Sequence, residues 1–299
     1  MSEPAPANTL IRLMPAVFVL IWATGFIVAR YGMPYAPPFT FLAVRMSLSL
    51  VCFIVWVTLA GVRWPQTGAQ WLHLGVTGVL MHAAYLGGVW AAVKGGMGSG
   101  LAALIAGIQP VLTAVWLSAT GSGSKVTRRQ WTGLVLGFAG LVLVVWRKLT
   151  DGSPGDHVTA TNFSWAVMAL VAITAGTLYQ KRFVQPCDVR SASAVQLLAA
   201  ALVLWPLALL EPESIQWNAQ VVGAMAWSVL GLTLGGSSLL FMLIQRGAAA
   251  SVASLMYLVP PTTALIAWGL FREPITLVTL AGMALTAFGV ALVVRAPAR

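Results

Sequence analysis

Long apolar runs separated by short polar segments make up nearly the whole sequence. A helix needs roughly 20 mostly apolar residues to cross a hydrocarbon core ~30 Å thick. The pattern therefore predicts an all-α integral membrane protein with ten transmembrane helices and no soluble domain. The spans are expected near residues 13–30, 38–60, 71–93, 98–119, 129–146, 163–182, 191–210, 219–245, 249–271 and 275–294.

The composition favours lipid as the surrounding medium. The 299 residues are 59% hydrophobic and only 8% charged, whereas a soluble domain carries about 25% charged residues. The net charge of +10 comes from basic residues in short loops, and no basic tract is long enough to follow a nucleic-acid backbone. Most of these loops would share a side with the N-terminus, so the positive-inside rule predicts that both termini are cytoplasmic. We expect a multi-pass protein of a bacterial inner (plasma) membrane.

The two halves of the chain resemble each other after a shift of about 150 residues. Arg45 then falls on Gln196, and Pro110 falls on Pro261. Five helices per half is an odd number, so the second half would enter the membrane upside down, as in many secondary transporters. We therefore expect two inverted five-helix repeats. Their predicted boundaries are 1–147 for helices 1–5, 148–162 for an extracytoplasmic linker, and 163–299 for helices 6–10.

The ends of the two halves also resemble a known family, the EamA-like branch of the drug/metabolite transporter superfamily. The residues that carry the resemblance are Phe271-Arg272-Glu273-Pro274, Gly282 and Gly289, Pro110, Pro260-Pro261, and Arg45. The first half departs from the pattern, because Ser124-Lys125 stands where an acidic residue is expected. The resemblance implies ten helices and export of metabolites or drugs. On overall impression it is nearest to exporters of aromatic amino acids.

Charged residues inside the predicted spans are few. No span contains a buried Asp or Glu, which disfavours carboxylate-based proton antiport. Only Arg45 lies well inside a span, which disfavours phosphate-bearing substrates. We assign Arg45 as a structural charge bonded to helix carbonyls or extended toward the interface. A clamp for a substrate carboxylate is the alternative.

A second group of residues predicts a substrate-binding wall in helix 3. His82 and Tyr85 fall on one helix face, with Trp90 beside it. Such a face suits stacking of planar or apolar solutes, with His82 as hydrogen-bond partner or proton carrier. Interhelical packing is the alternative. The other predicted substrate-binding residues are Gln109, Tyr179, Ser237, Tyr257, Trp22 and Trp165.

Prolines fall near the middle of two predicted spans that the repeat relates. Pro110 lies in helix 4, and Pro260 and Pro261 lie in helix 9. Proline removes a backbone donor and clashes with the carbonyl four residues earlier, and such groups are tolerated in a membrane only against protein or a watery cavity. We predict that these prolines are hinges, with a static kink as the alternative.

The function that these features predict is secondary transport by alternating access around a central cavity. The expected substrates are small neutral or zwitterionic metabolites, above all aromatic or large apolar amino acids. A multidrug exporter of planar lipophilic cations and a non-transport scaffold or channel are the alternatives. We expect no enzyme activity, catalytic residue, metal or cofactor, since Ser99, Cys52 and Cys187 sit in no catalytic or ligating motif. The expected partners are a small-molecule substrate and the lipid bilayer, without nucleic acid, and the oligomeric state is left open.

Overall fold

Helices account for the secondary structure of the part of the chain that is described. The computed structural model describes residues 9–120, 127–151, 157–239, 242 and 256–294, and no strand occurs among them. The helices are Thr9–Gly32 (α1), Pro38–Leu59 (α2), Gly68–Lys94 (α3), Ser99–Ala106 (α4), Gln109–Ala119 (α5), Arg128–Asp151 (α6), Ala160–Phe183 (α7), Val189–Leu209 (α8), Ala219–Leu239 (α9), Val259–Phe271 (α10) and Leu277–Val294 (α11).

The outer surface of the helices is strongly apolar. Leu59, Leu209 and Leu277 are each more than 80% exposed. Six helices are long and apolar enough to cross a membrane, namely most of α1 together with α2, α3, α7, α8 and α9. A water-soluble protein rarely exposes a continuous apolar surface of this extent. The chain is therefore a helical membrane protein.

The predicted fourth span differs from expectation, because it is two helices rather than one. The backbone leaves the α-helix at Gly107 and Ile108, between α4 and α5. Pro110 is the second residue of α5, and Pro260 is the second residue of α10. Proline is well tolerated in the first turn, where its missing N–H would have no helical acceptor. The prolines therefore lie at helix starts and not inside kinked helices.

The predicted linker at 148–162 is shorter in the structure. Helix α6 continues to Asp151, and α7 begins at Ala160. A capping box fixes this start, because the Thr159 hydroxyl accepts the Asn162 N–H and the Asn162 side chain accepts the Thr159 N–H. The Asn162 amide also donates to the Gly95 carbonyl, which ties α7 to the end of α3.

The helix contacts that join the two halves come in related pairs. Helix α3 packs against α7 and α8, while α9 packs against α1 and α2. The two helices α2 and α8 also pack on each other, as do α6 and α11. A shift of about 150 residues exchanges the members of these contacts.

Glycines allow α6 and α11 to approach closely. A Cβ atom on Gly140 would lie 2.5 Å from the Gly282 carbonyl oxygen, and one on Gly289 would lie 2.5 Å from the Gly133 oxygen. The Thr286 hydroxyl reaches the Gly137 carbonyl at 3.3 Å. Backbone-to-backbone packing of this kind is the usual role of small residues in membrane helices.

Acidic side chains tie the loops together at one end of the molecule. Glu211 accepts the N–H groups of Phe39 and Thr40 at 2.9 and 2.7 Å, which caps α2. Glu273 accepts the Ser99 N–H and hydroxyl at 3.1 and 2.9 Å, which caps α4. Both carboxylates face the positive end of a helix dipole.

A basic side chain completes these contacts at the same end. Lys94 forms an ion pair with Glu213 at 2.7 Å and donates to the Met33 carbonyl. We call this the closed end, defined by Glu211, Glu213, Glu273 and Lys94.

Candidate functional site

Three adjoining cavities lie among α1, α2, α3, α4, α5, α7, α8, α9 and α10. The mouth cavity, lined by His82, Gln196 and Cys187, has a volume of about 640 Å³. The central cavity, lined by Arg45 and Trp90, has a volume of about 160 Å³. The proline cavity, lined by Pro110 and Pro260, has a volume of about 170 Å³. Trp22 lines all three, so the cavities are direct neighbours, and together we call them the solute cavity.

The solute cavity reaches the molecular surface at the end opposite the closed end. The mouth cavity extends to Gln185, Pro186 and Cys187 in the loop between α7 and α8. The closed end instead contains the start of α7 and the end of α8. A separate cavity of about 560 Å³ lies at the closed end, lined by Met33, Lys94 and Phe271, and it shares no lining residue with the three cavities above.

A distorted turn of α3 carries the predicted wall residues. Residues Val79–Ala84 form a π-helix, with Tyr85 directly after it. A π-helical turn widens the helix and is frequent at functional sites. His82 lines the mouth and central cavities, while Tyr85 lines the central and proline cavities.

The same distortion occurs in α9. Its residues Trp227–Gly236 are also π-helical, and Thr233 and Ser237 line the mouth and central cavities. The two π-helical segments stand about 150 residues apart. Each half of the chain therefore contributes one widened helix to the solute cavity.

Two hydrogen bonds in the wall of the solute cavity join the first half of the chain to the second half. An Arg45 guanidinium nitrogen donates to the Thr233 hydroxyl at 3.2 Å, and His82 Nε2 lies 3.3 Å from the Gln196 side-chain oxygen. The shift that places Arg45 on Gln196 also places His82 on Thr233. The two bonds are therefore equivalent positions of the predicted repeat, filled by different side chains.

Arg45 gives the central cavity a positive charge. Its side chain is buried, lines the central cavity, and has its guanidinium carbon 6.0 Å from the centroid of the Trp90 ring. Trp90 is itself stacked on Phe41 at 4.7 Å. Among the described residues, no carboxylate lines any of the three cavities.

The proline cavity is lined by the starts of α5 and α10 and by the side-chain amide of Gln109. The Gln109 side chain donates to the hydroxyls of Thr113 and Thr177, each at 3.3 Å. A Cβ atom on Gly107 would lie 3.0 Å from the Pro260 ring. The break between α4 and α5 thus packs directly on the start of α10.

Some predicted site residues lie away from the solute cavity. Tyr179 places its hydroxyl 2.8 Å from His73 Nδ1 and packs on Phe183. Trp165 packs edge-on against Phe39. Pro261 does not line the cavities that the structure describes, and the Tyr257 side chain lies outside the described side chains.

Among the polar residues of the solute cavity, Gln196, Thr233 and Thr177 were not predicted from the sequence. Gln196, Thr233 and Thr177 are common polar types, and nothing in their local pattern separates them from residues that face a neighbouring helix. For Gln196 the signal was present, because it falls on Arg45 after the shift that relates the halves.

Charged and titratable groups surround the mouth. Burial raises the pKa of the Cys187 thiol, and the negative charge of Asp188 raises it further. The hydrogen bond from the Arg190 side chain lowers the pKa of the Asp188 carboxyl. The thiol is thus largely protonated near neutral pH, beside an ion pair at the start of α8.

Comparison with known proteins identifies relatives along nearly the whole chain. The uncharacterized transporter YvbV of Bacillus subtilis is 24% identical over 96% of this chain and 92% of its own length. The uncharacterized inner membrane transporter YedA of Escherichia coli is 25% identical over 95% of this chain and 91% of its own. A probable amino-acid metabolite efflux pump of Salmonella typhimurium is 24% identical over 91% of this chain and 90% of its own.

A solved crystal structure has the same fold. It matches with a TM-score of 0.65 at 20% sequence identity, and covers 94% of this chain and 96% of that one. Residues 10–146 and 162–295 each match the EamA-like transporter family, in agreement with the helical membrane fold. The chain is therefore a membrane transporter that belongs to the EamA-like transporter family.

Proposed function

We propose that the chain exports small, partly apolar metabolites from the cytoplasm, in particular aromatic or large apolar amino acids. The observation that carries the proposal is a set of adjoining cavities that reaches the surface at one end, while an ion pair and helix caps join the loops at the other end. The name of the Salmonella relative as a probable amino-acid metabolite efflux pump supports this class of solute.

The lining of the solute cavity supports a solute with an apolar or aromatic body. Trp22 and Tyr85 present partly exposed ring surfaces, and Met81 adds a flexible thioether. Rings of this kind bind apolar and planar groups by contact and stacking. A few polar groups, among them Gln109 and Ser237, would orient the solute, which is the usual composition of a small-molecule site.

The distribution of basic residues supports a mouth that faces the cytoplasm. Lys181, Arg182 and Arg190 lie beside the loop between α7 and α8, and basic loops are retained on the cytoplasmic side. The structure would then be the state that accepts solute from the cytoplasm. Export requires the closed end to open while the mouth closes.

Two inverted five-helix repeats provide a mechanism for this exchange. The hydrogen bonds Arg45–Thr233 and His82–Gln196 occupy equivalent positions in the two halves. Each half can therefore adopt the conformation of the other half, which would close the mouth cavity and open the closed end. The helix starts at Pro110, Pro260 and Pro261 are the proposed hinges, since the backbone there is already free of continuous helix. Helices interrupted near the membrane centre are common in transporters.

The alternatives are less well supported. A multidrug exporter would need a negative group for a lipophilic cation, whereas the described lining carries the positive Arg45. A channel would need a continuous path, whereas an ion pair and helix caps hold the closed end.

Transport in proteoliposomes tests the proposal. The purified protein is reconstituted, and efflux of labelled phenylalanine, leucine, a nucleotide sugar and a lipophilic cation is measured against protein-free vesicles. We expect protein-dependent efflux of the two amino acids only. Efflux confined to the cation or the nucleotide sugar would refute the proposed substrate class.

A further inference from the structure

Arg45 has too few partners for a purely structural arginine. Its side chain is only 6% exposed, yet its Nε atom has no hydrogen-bond partner among the described residues. A guanidinium has five N–H donors, and the acceptor found in the described part of the chain is the Thr233 hydroxyl. The Nε donor of this buried charge therefore has no acceptor among the described residues and is left for another group.

Among the described residues, no carboxylate forms an ion pair with Arg45. Lys94 and Arg190 instead form ion pairs with Glu213 and Asp188 at the ends of helices. An uncompensated buried charge is costly, and proteins normally pair such a group or use it. The ring of Trp90, with its centroid 6.0 Å away, offers only a weak interaction with the guanidinium.

Arg45 lies where its guanidinium can reach a solute in the central cavity as well as Thr233 of the neighbouring helix. Arg45 and Trp90 line the central cavity together with Tyr85 and Leu86. A planar guanidinium binds a carboxylate through two parallel hydrogen bonds. The aromatic rings beside it would hold the apolar body of the same molecule.

We propose, on the basis of the export function proposed above, that Arg45 binds the carboxylate of the exported solute. The solute class is then an organic monocarboxylate with an aromatic or large apolar body, amino acids included. Uncharged or cationic molecules of the same shape are rejected, because they leave the buried charge uncompensated. Thr233 is the positioning residue that holds the guanidinium toward the central cavity.

Two ligands of nearly equal shape test the charge requirement. Binding of 3-phenylpropanoate and of its neutral amide, 3-phenylpropanamide, is measured by calorimetry on the purified full-length protein. We expect the wild type to bind the carboxylate at least about tenfold more tightly, as loss of a charged hydrogen bond implies. Equal affinity for both ligands, or binding of neither, would overturn the proposal.

Variants assign this preference to Arg45. Arg45→Gln should bind both ligands equally, and Arg45→Lys should keep part of the preference. The control Arg63→Gln removes one positive charge from an exposed position outside the solute cavity and should leave the preference intact. An undiminished preference in Arg45→Gln would overturn the proposal.

Thermal unfolding separates this role from a structural one. Without ligand, Arg45→Gln should unfold at the same temperature as the wild type or at a higher one, because an unpaired buried charge is removed. A clearly lower unfolding temperature would identify Arg45 as a structural residue and overturn the proposal.

Transport distinguishes a failure of this site from a failure of the export function. Equal efflux of phenylalanine and phenylalaninamide from wild-type proteoliposomes would refute the carboxylate site and leave export standing. Arg45-dependent carboxylate binding without any efflux would refute export and leave the site standing.

Discussion

His82 and Tyr85 bring two rings with polar atoms to the wall of the solute cavity. They are three residues apart, and the π-helical turn that ends at Ala84 directs both toward the same space. His82 shares a hydrogen bond with Gln196 of the other half, so it also belongs to the contact between the halves. Removing either ring therefore changes both the lining and the packing around it.

We expect His82→Ala and Tyr85→Ala each to reduce phenylalanine efflux by at least about tenfold, because each removes stacking area and a polar contact worth ~1–2 kcal/mol. The measurement is efflux from proteoliposomes with matched protein content. Tyr179→Phe is the control, since Tyr179 lies outside the solute cavity. Efflux at the wild-type rate in both alanine variants would show that His82 and Tyr85 do not contribute to the substrate site.

Cys187 reports on the mouth. In a Cys52→Ser background, a maleimide applied from the cytoplasmic side should label Cys187, and bound solute should slow the labelling. The thiolate is the reactive form, and the pKa of Cys187 is raised. The labelling rate should therefore still be increasing above pH 8.5. Labelling only from the opposite side would reverse the proposed orientation.

The residues of the site were only partly predictable. His82, Tyr85, Trp90 and Trp22 are rare polar or aromatic types in an apolar chain, and the structure places all four at the solute cavity. Thr233 was missed, because small polar residues are common at helix contacts and their partners lie about 190 residues away in the chain. The sequence contains no local trace of such a contact.

The seam between α6 and α11 depends on two backbones that touch. Gly140 has no space for a Cβ atom, whereas nothing lies within 4 Å of a Cβ atom placed on Gly137. Both glycines lie in the same helix one turn apart. They therefore form a matched pair for testing the packing.

We expect Gly140→Ala to lower the free energy of unfolding by roughly 1–3 kcal/mol, because the added methyl group forces the helices apart. Gly137→Ala should be neutral or slightly stabilising, since alanine is the better helix former. Thermal unfolding in detergent measures both. Equal unfolding temperatures for the two variants would refute close backbone packing of α6 against α11 at Gly140.

The start of α10 allows a test of the hinge proposal. Pro260→Ala should lower the rate of turnover several-fold with little change in KM, because alanine lets the helix extend backward and stiffens the break. Pro206→Ala is the control, since Pro206 lies inside α8 on an exposed face. Unchanged turnover in Pro260→Ala would refute the proposal that Pro260 is a hinge.

Helices were easier to predict than their interruptions. Continuous apolar runs mark α2 and α8 within a few residues of their bounds. The break at Gly107 and the π-helical turns in α3 and α9 were not predicted. These features depend on which neighbouring helix packs against the backbone, and a run that is apolar on all sides carries no periodicity to reveal that.

Over the molecule as a whole, polarity is concentrated at the two ends and in the solute cavity. Glu211, Glu213 and Glu273 hold the closed end through helix caps and an ion pair. Lys181, Arg182 and Arg190 lie beside the mouth cavity, next to the loop between α7 and α8. The apolar exterior follows from the sequence pattern, but which end is closed depends on contacts between distant loops, so the sequence alone does not predict it.

Passage of the solute through the solute cavity is tested most directly by blocking it reversibly. Ser237→Cys, in a background without Cys52 and Cys187, is modified with a bulky methanethiosulfonate and then reduced, with phenylalanine efflux measured at each stage. Arg63→Cys is the control outside the solute cavity. We expect efflux through Ser237→Cys to fall on modification and to return on reduction, while the control is unaffected. Undiminished efflux in fully modified Ser237→Cys protein would contradict transport through this cavity.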